Sequence, residues 1–379
     1  MVDIHSALTF DDVLLKPRYA GFLRSEIDLG VQLTKRIRLQ APLVAAPMDT
    51  VTESGLAIAL AEVGGIGIIH RNLTIADQTR EIKIVKERGL LVGAAVGSTD
   101  GYEARVKALV KAGVDVLVVD SAHGHSLKVI TALRYIKSNF DVEVIAGNVA
   151  TGEGAKALIA AGADGLRVGM GPGAICSTRI ISGMGVPQMT AIIDTVHVAN
   201  RYGVPVIADG GIMYSGDITK ALAAGASCVM LGRLFAATTE APGGVTELPA
   251  EKVPGRFRHI LNGSKSYAFK TYRGMGSLSA MEQGIKISSE DEFHGKNYQN
   301  DVLIAEGVEG LVPSSGTVAQ LCAQLLGGVQ SGMYYVGART VPELWETAEF
   351  MRITQASLTE SHPHDLFITD AGDNYHQAS

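Results

Sequence analysis

Cys176 is the side chain best suited to covalent chemistry in this sequence, and its neighbourhood is unusual. It sits in Arg167-Val-Gly-Met-Gly-Pro-Gly-Ala-Ile-Cys-Ser-Thr-Arg179, where Gly171, Pro172 and Gly173 bend the chain and let backbone approach a ligand closely. A lone cysteine is by default a small buried hydrophobe. The glycine-rich bend, the hydroxyls of Ser177 and Thr178 and the cation Arg179 favour instead an exposed thiolate nucleophile. Other polar residues close short apolar runs: Asp49, Asp120, Asn148, Asp209 and Gly232. Asp209-Gly-Gly211 and Leu231-Gly-Arg233 have the glycine-opened backbone that takes a phosphate, and Asp209 offers an acceptor for ribose hydroxyls. Taken singly, such glycines can serve only a turn, and such an aspartate only a helix cap. The histidine of Asp120-Ser-Ala-His-Gly124 is as well explained by a structural hydrogen bond as by a role as base. Glu360-Ser-His362 by itself reads as a solvated end.

These residues are far apart in sequence and need a scaffold that gathers them. Short apolar runs at residues 42–46, 64–70, 90–96, 115–120, 142–147, 164–170, 204–211 and 227–232 alternate with segments of helical apolar spacing, such as 53–63 and 102–112. Ala112-Gly-Val-Asp115, Ala161-Gly-Ala-Asp164 and Ala224-Gly-Ala-Ser227 each end a helix in glycine and lead into a strand. Eight such units predict an α/β fold, a (β/α)8 TIM barrel forming one catalytic domain over 1–379, with its sites at the carboxyl ends of the strands. An open doubly wound sheet is the alternative, but no GxGxxG fingerprint follows the first run. Residues 8–17 are expected to close the bottom of the core. After the eighth strand regularity is expected to stop, leaving 241–316 as a long functional connection with a flap at 281–304, before a helix at 317–326.

Composition narrows the partners. The 379 residues are 46% hydrophobic with a net charge of −6, enough for one large core and without the basic run that nucleic acid or an acidic membrane surface calls for. Cys176, Cys228 and Cys322 are too few and too widely spaced for a disulfide framework or a zinc site, which favours a reducing compartment. With no signal-like amino terminus and no apolar run of ~18 residues, a soluble, cytoplasmic protein is expected.

Residues 8–17, Met48-Asp-Thr-Val-Thr-Glu53, residues 64–72, Asp120-Ser-Ala-His-Gly-His-Ser126, Ala146-Gly-Asn-Val149, residues 168–179, Ala208-Asp-Gly-Gly-Ile212, Tyr272-Arg-Gly-Met-Gly-Ser277 and Glu360-Ser-His-Pro-His-Asp365 form a set. Together, over nearly the whole chain, they resemble the IMP dehydrogenase/GMP reductase family. The resemblance implies that Cys176 attacks C2 of a purine nucleotide monophosphate (IMP, XMP or GMP) while hydride passes to or from NAD or NADP. It implies Thr178, Glu306 and Tyr298 as catalytic partners. For the nucleotide it implies Met48, Ala174, Asp209, Gly210, Gly211, Gly232, Arg233, Tyr272, Gly274, Met275, Gly276 and Glu306. For the cofactor it implies Asp120, Ser121, Ala122, Asn148, Gly169 and Gly171. A potassium ion (K+) would be held by carbonyls of Gly171, Gly173 and Cys176, with Glu360, Ser361 and His362 supplied by a neighbouring subunit of a homotetramer.

Four departures from the family pattern bear on function. Lys86-Glu-Arg-Gly89 leads straight into the third run, so the regulatory CBS domain common in the dehydrogenases is absent at that point. Ala174 stands where a phosphate-contacting serine is common and Arg233 where a small residue is usual; Arg233 would compensate by pairing with phosphate. In Gly295-Lys-Asn-Tyr-Gln299, Asn297 precedes Tyr298 where dehydrogenases carry a water-activating arginine. Asparagine is no base, which leaves hydrolysis to Lys296 or to the Thr178–Glu306 pair. Tyr335 stands where glycine is typical. Three readings follow: an IMP dehydrogenase, placed first; a GMP reductase on a dehydrogenase-like frame; and a non-catalytic nucleotide-binding paralogue, against which the intact cysteine loop speaks.

Overall fold

The computed structural model describes residues 4–366 except 100, 262 and 291–302, together with residues 368, 372 and 375. Eight parallel strands close into a barrel: β1 Leu43–Ala45, β2 Ile66–Ile69, β3 Val92–Val96, β4 Val116–Asp120, β5 Glu143–Val149, β6 Gly165–Val168, β7 Val206–Asp209 and β8 Cys228–Leu231, which returns to pair with β1. Seven lie inside the apolar runs that predict them; β5 continues two residues further, across a register shift between Gly147 and Val149. The agreement has a physical cause: a strand filled on its inner face and covered by helices on its outer face must be apolar on both. All residues of β2, β3, β6 and β8 are buried.

The covering helices are α1 Ser54–Glu62, α2 Ile75–Lys86, α3 Tyr102–Lys111, α4 Leu127–Asn139, α5 Gly152–Ala160, α6 Gln188–Ala199 and α7 Ser215–Ala223. Gly113, Gly162 and Gly225 follow α3, α5 and α7 with φ of +87°, +104° and +102°, the left-handed turn that glycine makes without strain. Two of these turns share a lock. Asp115 accepts from Lys86 Nζ at 2.8 Å and from Val92 N at 2.9 Å; Asp164 accepts from Lys137 Nζ at 2.6 Å and from Val144 N at 2.9 Å. Each aspartate thus fixes the start of its own strand to the strand and helix one unit earlier. Between α2 and β3 the chain turns at once through Gly89 (φ +70°).

Three expectations are corrected. Residues 8–17 do not close the bottom: the Phe10 ring lies 3.6 Å from where a Cβ of Gly211 would stand, beside the carboxyl end of β7, and Val13–Leu15 pairs with Phe350–Arg352. Gly211 has no side chain, so an aromatic ring can rest there. The bottom is closed by the hairpin Val31–Gln32 and Arg38–Leu39, whose turn puts Arg36 Nε 2.7 Å from Glu143 Oε1 at the start of β5.

Regularity also continues beyond β8. Strands β9 Val245–Pro249, β10 Ser266–Arg273 and β11 Glu309–Pro313 form an antiparallel sheet, with α8 Leu278–Glu290 between the last two. Buried Lys270, its pKa lowered by burial, donates to the carbonyls of Thr238 (2.7 Å) and Ala241 (2.5 Å) and so seats this sheet on the barrel.

The helix expected to end at residue 326 is α9 Val318–Val336. Its glycines serve close packing rather than termination, because a Cβ at Gly328 would fall 2.1 Å from Ser215 Oγ and one at Gly332 2.7 Å from Thr219 Cγ2. Tyr335 is exposed on its last turn, and nothing in the structure explains it. Among the described residues no helix is long and apolar enough to cross a membrane.

Candidate active site

The cysteine loop leaves β6 and is held from both sides. Gly169 (φ +153°) and Gly171 (φ +80°) turn the chain, and a side chain at Gly169 would collide with Asp209 O at 2.1 Å. Cys176 N donates to Gly173 O at 3.0 Å, which leaves the thiol exposed. Arg179, expected to favour the thiolate, is used otherwise: Nη2 donates to Val186 O at 2.7 Å and Nε to Met170 O at 3.3 Å. It frames the loop and makes no hydrogen bond to the sulfur among the described residues.

The far side of the loop is the segment that leads into β11. Ser177 N donates to Glu306 O (3.0 Å) and Val308 N to Ile175 O (2.9 Å); Glu306 N donates to Gly276 O (3.1 Å) and Gly274 N to Val308 O (3.0 Å). This ladder aligns three side chains. Cys176 Sγ lies 3.2 Å from Thr178 Oγ1 as its donor, and Thr178 Oγ1 donates to Glu306 Oε2 at 2.9 Å. A nucleophile is therefore connected through one hydroxyl to a carboxylate.

Beside the loop, the ends of β4, β5, β6 and β7 share a buried charge network. Arg167, 8% exposed, puts Nη1 2.5 Å from Asp120 Oδ1 and Nε 3.0 Å from Asp209 Oδ2. Burial by itself lowers the Arg167 pKa, but the two carboxylates outweigh it and the net shift is upward. Asn148 Nδ2 donates to Asp209 Oδ2 (2.8 Å) and to Gly169 O (2.9 Å). Ser121 and Ala122 continue from Asp120, and Ser121 O accepts from Asn148 N at 2.7 Å. Arg167 is not among the site residues expected from the sequence; a charged residue inside an otherwise apolar strand is the signal that marks it.

Gly210 (φ +90°) and Gly211 (φ +78°) follow Asp209 and pack against Pro172 of the cysteine loop. At the end of β8, a Cβ on Gly232 would stand 2.7 Å from Tyr272 Oη and 3.2 Å from Met48 Sδ, so these three residues meet. Tyr272 is buried, and burial, followed by the charge of Asp209, pushes its phenol up. Arg233 is half-buried, and burial lowers its pKa; among the described residues Tyr272 and Tyr214 offset this. It has no hydrogen bond or ion pair among the described residues. Arg105, Arg167 and Arg273, the comparably buried arginines, all have partners.

The structure thus brings together Cys176, Thr178, Glu306, Asp209 and the glycines around them, with Ala174 in the same loop and Met275 on the turn beyond β10. It does not bring the tail to the cysteine loop within one chain: His362 instead packs against Tyr214 (6.4 Å between ring centroids), with Nδ1 3.2 Å from Tyr375 Oη. Tyr298, with Lys296 and Asn297, lies outside the described residues.

A (β/α)8 barrel with an exposed thiol and an acid–base pair at its strand ends defines a class of enzymes that work through a covalent cysteine intermediate. The IMP dehydrogenase / GMP reductase domain matches residues 7–364, and the chain belongs to that family. An inosine-5'-monophosphate dehydrogenase of Borreliella burgdorferi is 44% identical, covering 95% of this chain and 97% of its own. Others from Cryptosporidium parvum (42%) and Aquifex aeolicus (41%) each cover 98% of both chains. The alignment runs to 412 positions with the Borreliella protein and 501 with the Aquifex protein. A chain without the longer protein's extra length therefore also carries the dehydrogenase name.

Proposed function

We propose that this chain is an IMP dehydrogenase, oxidising IMP at C2 with NAD and water to give XMP and NADH. The observation that carries this reading is the connected line Cys176 Sγ, Thr178 Oγ1, Glu306 Oε2. The Cys176 sulfur adds to C2, making a tetrahedral carbon that can release hydride. A nicotinamide dinucleotide bound near Asp120, Ser121, Ala122, Asn148, Gly169 and Gly171 would accept that hydride. The purine then remains bonded to sulfur until water attacks C2. Glu306 takes the proton of that water through Thr178, and the sulfur departs. This pair makes hydrolysis independent of an arginine at Asn297. Asp209 holds ribose; Gly210, Gly211, Gly232, Tyr272 and Arg233 hold phosphate; Met48, Gly274, Met275 and Gly276 hold the base.

A potassium ion suits the cysteine loop, since the carbonyls of Gly171 and Cys176 accept no hydrogen bond among the described residues, although that of Gly173 accepts Cys176 N–H. Glu360, Ser361 and His362 of a second copy would complete it in a homotetramer, which light scattering with and without potassium tests. The widely spaced cysteines suit a reducing cytoplasm.

The second reading, GMP reductase, is favoured by Asn297 in place of arginine. The assay mixes protein with IMP and NAD+, or with GMP and NADPH, and follows nicotinamide absorbance. Absorbance rising in the first mixture is expected; turnover only in the second selects the reductase, and neither with no adduct on Cys176 rejects both.

A further inference from the structure

We infer that Asp49 is a positioning residue: through Arg273 it fixes the turn that carries Met275 and Gly276, and through that turn it fixes Glu306. The inference rests on Glu306 being the group that activates water.

Asp49 lies beyond β1 with its side chain 4% exposed. Its Oδ1 accepts from Arg273 Nε at 3.0 Å; its Oδ2 accepts from Arg273 Nη2 at 2.6 Å and from Asn72 Nδ2 at 2.7 Å. Its backbone N–H points to Met275 Sδ at 3.5 Å. One residue therefore grips the turn at both Arg273 and Met275. The hydrogen bonds Arg273 donates to Asp49 raise its pKa, and such a bidentate pair fixes direction as well as distance.

Arg273 also donates to Ser279 Oγ at 3.3 Å and to Gln283 of α8, and its backbone N–H to Thr50 Oγ1 at 3.2 Å. Asn72, from beyond β2, shares its amide between Asp49 and Ala280 O (3.3 Å). From this clamp the constraint passes along backbone: Gly276 O to Glu306 N, and Glu306 O to Ser177 N. Displacing the turn therefore displaces Glu306 relative to Thr178 directly, and reaches Cys176 only through the backbone bonds of Ile175 and Ser177, against the hold of Gly173 and Arg179 on the other side of the loop.

The two chemical steps should separate accordingly. Hydride release needs the sulfur and the bound base; hydrolysis also needs Glu306 in register. Rapid-mixing absorbance on Asp49→Asn should show a first-turnover burst within about threefold of wild type, followed by steady turnover lowered ~30- to 100-fold, the scale of an ångström's misplacement. The purine adduct on Cys176 should accumulate in mass spectra, and Asp49→Glu should restore part of the rate. Burst and turnover falling in the same proportion, tracking the folded fraction, would show a merely structural role and overturn the inference, as would no change in either. No NADH formed from IMP by wild type would refute the dehydrogenase reading instead. The clamp is then judged by IMP protection of Cys176 from iodoacetamide, which Asp49→Asn should weaken about tenfold, the loss of roughly one charge-assisted contact; unchanged protection would overturn it.

Discussion

Replacing Arg233 with methionine removes a charge while keeping length and apolar bulk, and the structure makes the outcome unusual in sign. Among the described residues the half-buried guanidinium meets no carboxylate and only two phenols in return for its lost hydration. Folding therefore gains little from it, and Arg233→Met should leave the thermal midpoint unchanged or raise it. The nucleotide should respond oppositely. Charge-assisted hydrogen bonds to a phosphate contribute about 1.5–3 kcal/mol. At about 1.4 kcal/mol per decade that loss corresponds to roughly a 10- to 150-fold rise in KM for IMP.

Turnover at saturation should stay within about threefold, because the phosphate is remote from C2 and its contacts are the same in ground and transition states. The nucleoside inosine, which lacks the phosphate, should be used equally by both proteins. Steady-state absorbance assays with IMP and inosine, together with thermal melts, test all three expectations. An unchanged KM for IMP would refute the assignment, and a lowered melting point with unchanged KM would show that Arg233 has a structural partner.

Cys176→Ala should abolish oxidation and any purine adduct in mass spectra while IMP still binds; residual turnover near the wild-type rate would end the covalent mechanism. Glu306→Gln keeps a hydrogen-bonding partner for Thr178 but not a base, so steady turnover should fall on the order of 10²-fold with the first-turnover burst retained; loss of the burst as well would place Glu306 in hydride release. Glu143, at the start of β5, gives a pH signature. Burial would raise its pKa, but hydrogen bonds with Thr34 and Arg36 outweigh this and hold its carboxyl below the ordinary range. That stability is present above the unfolded value and is lost as pH falls through the lower folded one. Glu143→Gln should thus lower the unfolding free energy from urea melts at neutral pH by about 1 kcal/mol, since Arg36 is 55% exposed and screened by solvent. The difference should shrink as pH falls below the ordinary carboxylate range and vanish once Glu143 is protonated in the folded state as well; a gap that persists in strong acid would assign the effect to packing.

The barrel was legible because its strands are continuous apolar runs and its turns carry Ala-Gly signals, both set by local sequence. What stayed hidden depends on partners distant in the chain. Strands β9 and β11 are largely exposed and pair with β10, so neither alternation nor burial marks them. The Asp49–Arg273 clamp joins residues 224 positions apart, and neither residue type alone separates a clamp from a solvated charge. The helix expected over 317–326 runs on to Val336, and its Gly328 and Gly332 are packed against Ser215 and Thr219, contacts no local sequence shows. The cysteine, Asp209 and the strand-end glycines Gly210, Gly211 and Gly232 were visible, since their surroundings are unlike ordinary turns. Arg179 was placed beside the thiol by sequence proximity, yet a nearer need was to hold the carbonyls of Met170 and Val186.

The site is therefore two assemblies in register rather than one. The barrel supplies Cys176, Asp209 and the glycines that follow β7 and β8; the sheet after β8 supplies Glu306, Tyr272 and the turn with Met275. The line from sulfur to carboxylate exists only when both are seated, because Thr178 and Glu306 stand 128 residues apart. Three contacts of different kinds set that register: buried Lys270 on the carbonyls after β8, the Asp49–Arg273 ion pair at the first strand, and the short ladder from Ile175 to Val308. The ladder alone touches reacting groups, and it is the least buried of the three. Errors in the other two are transmitted through it as displacement of Glu306. Under the proposed mechanism, water activation is for that reason the step most exposed to substitutions far from Cys176, whereas the thiol is also held by Gly173 and Arg179 on the barrel side of its loop.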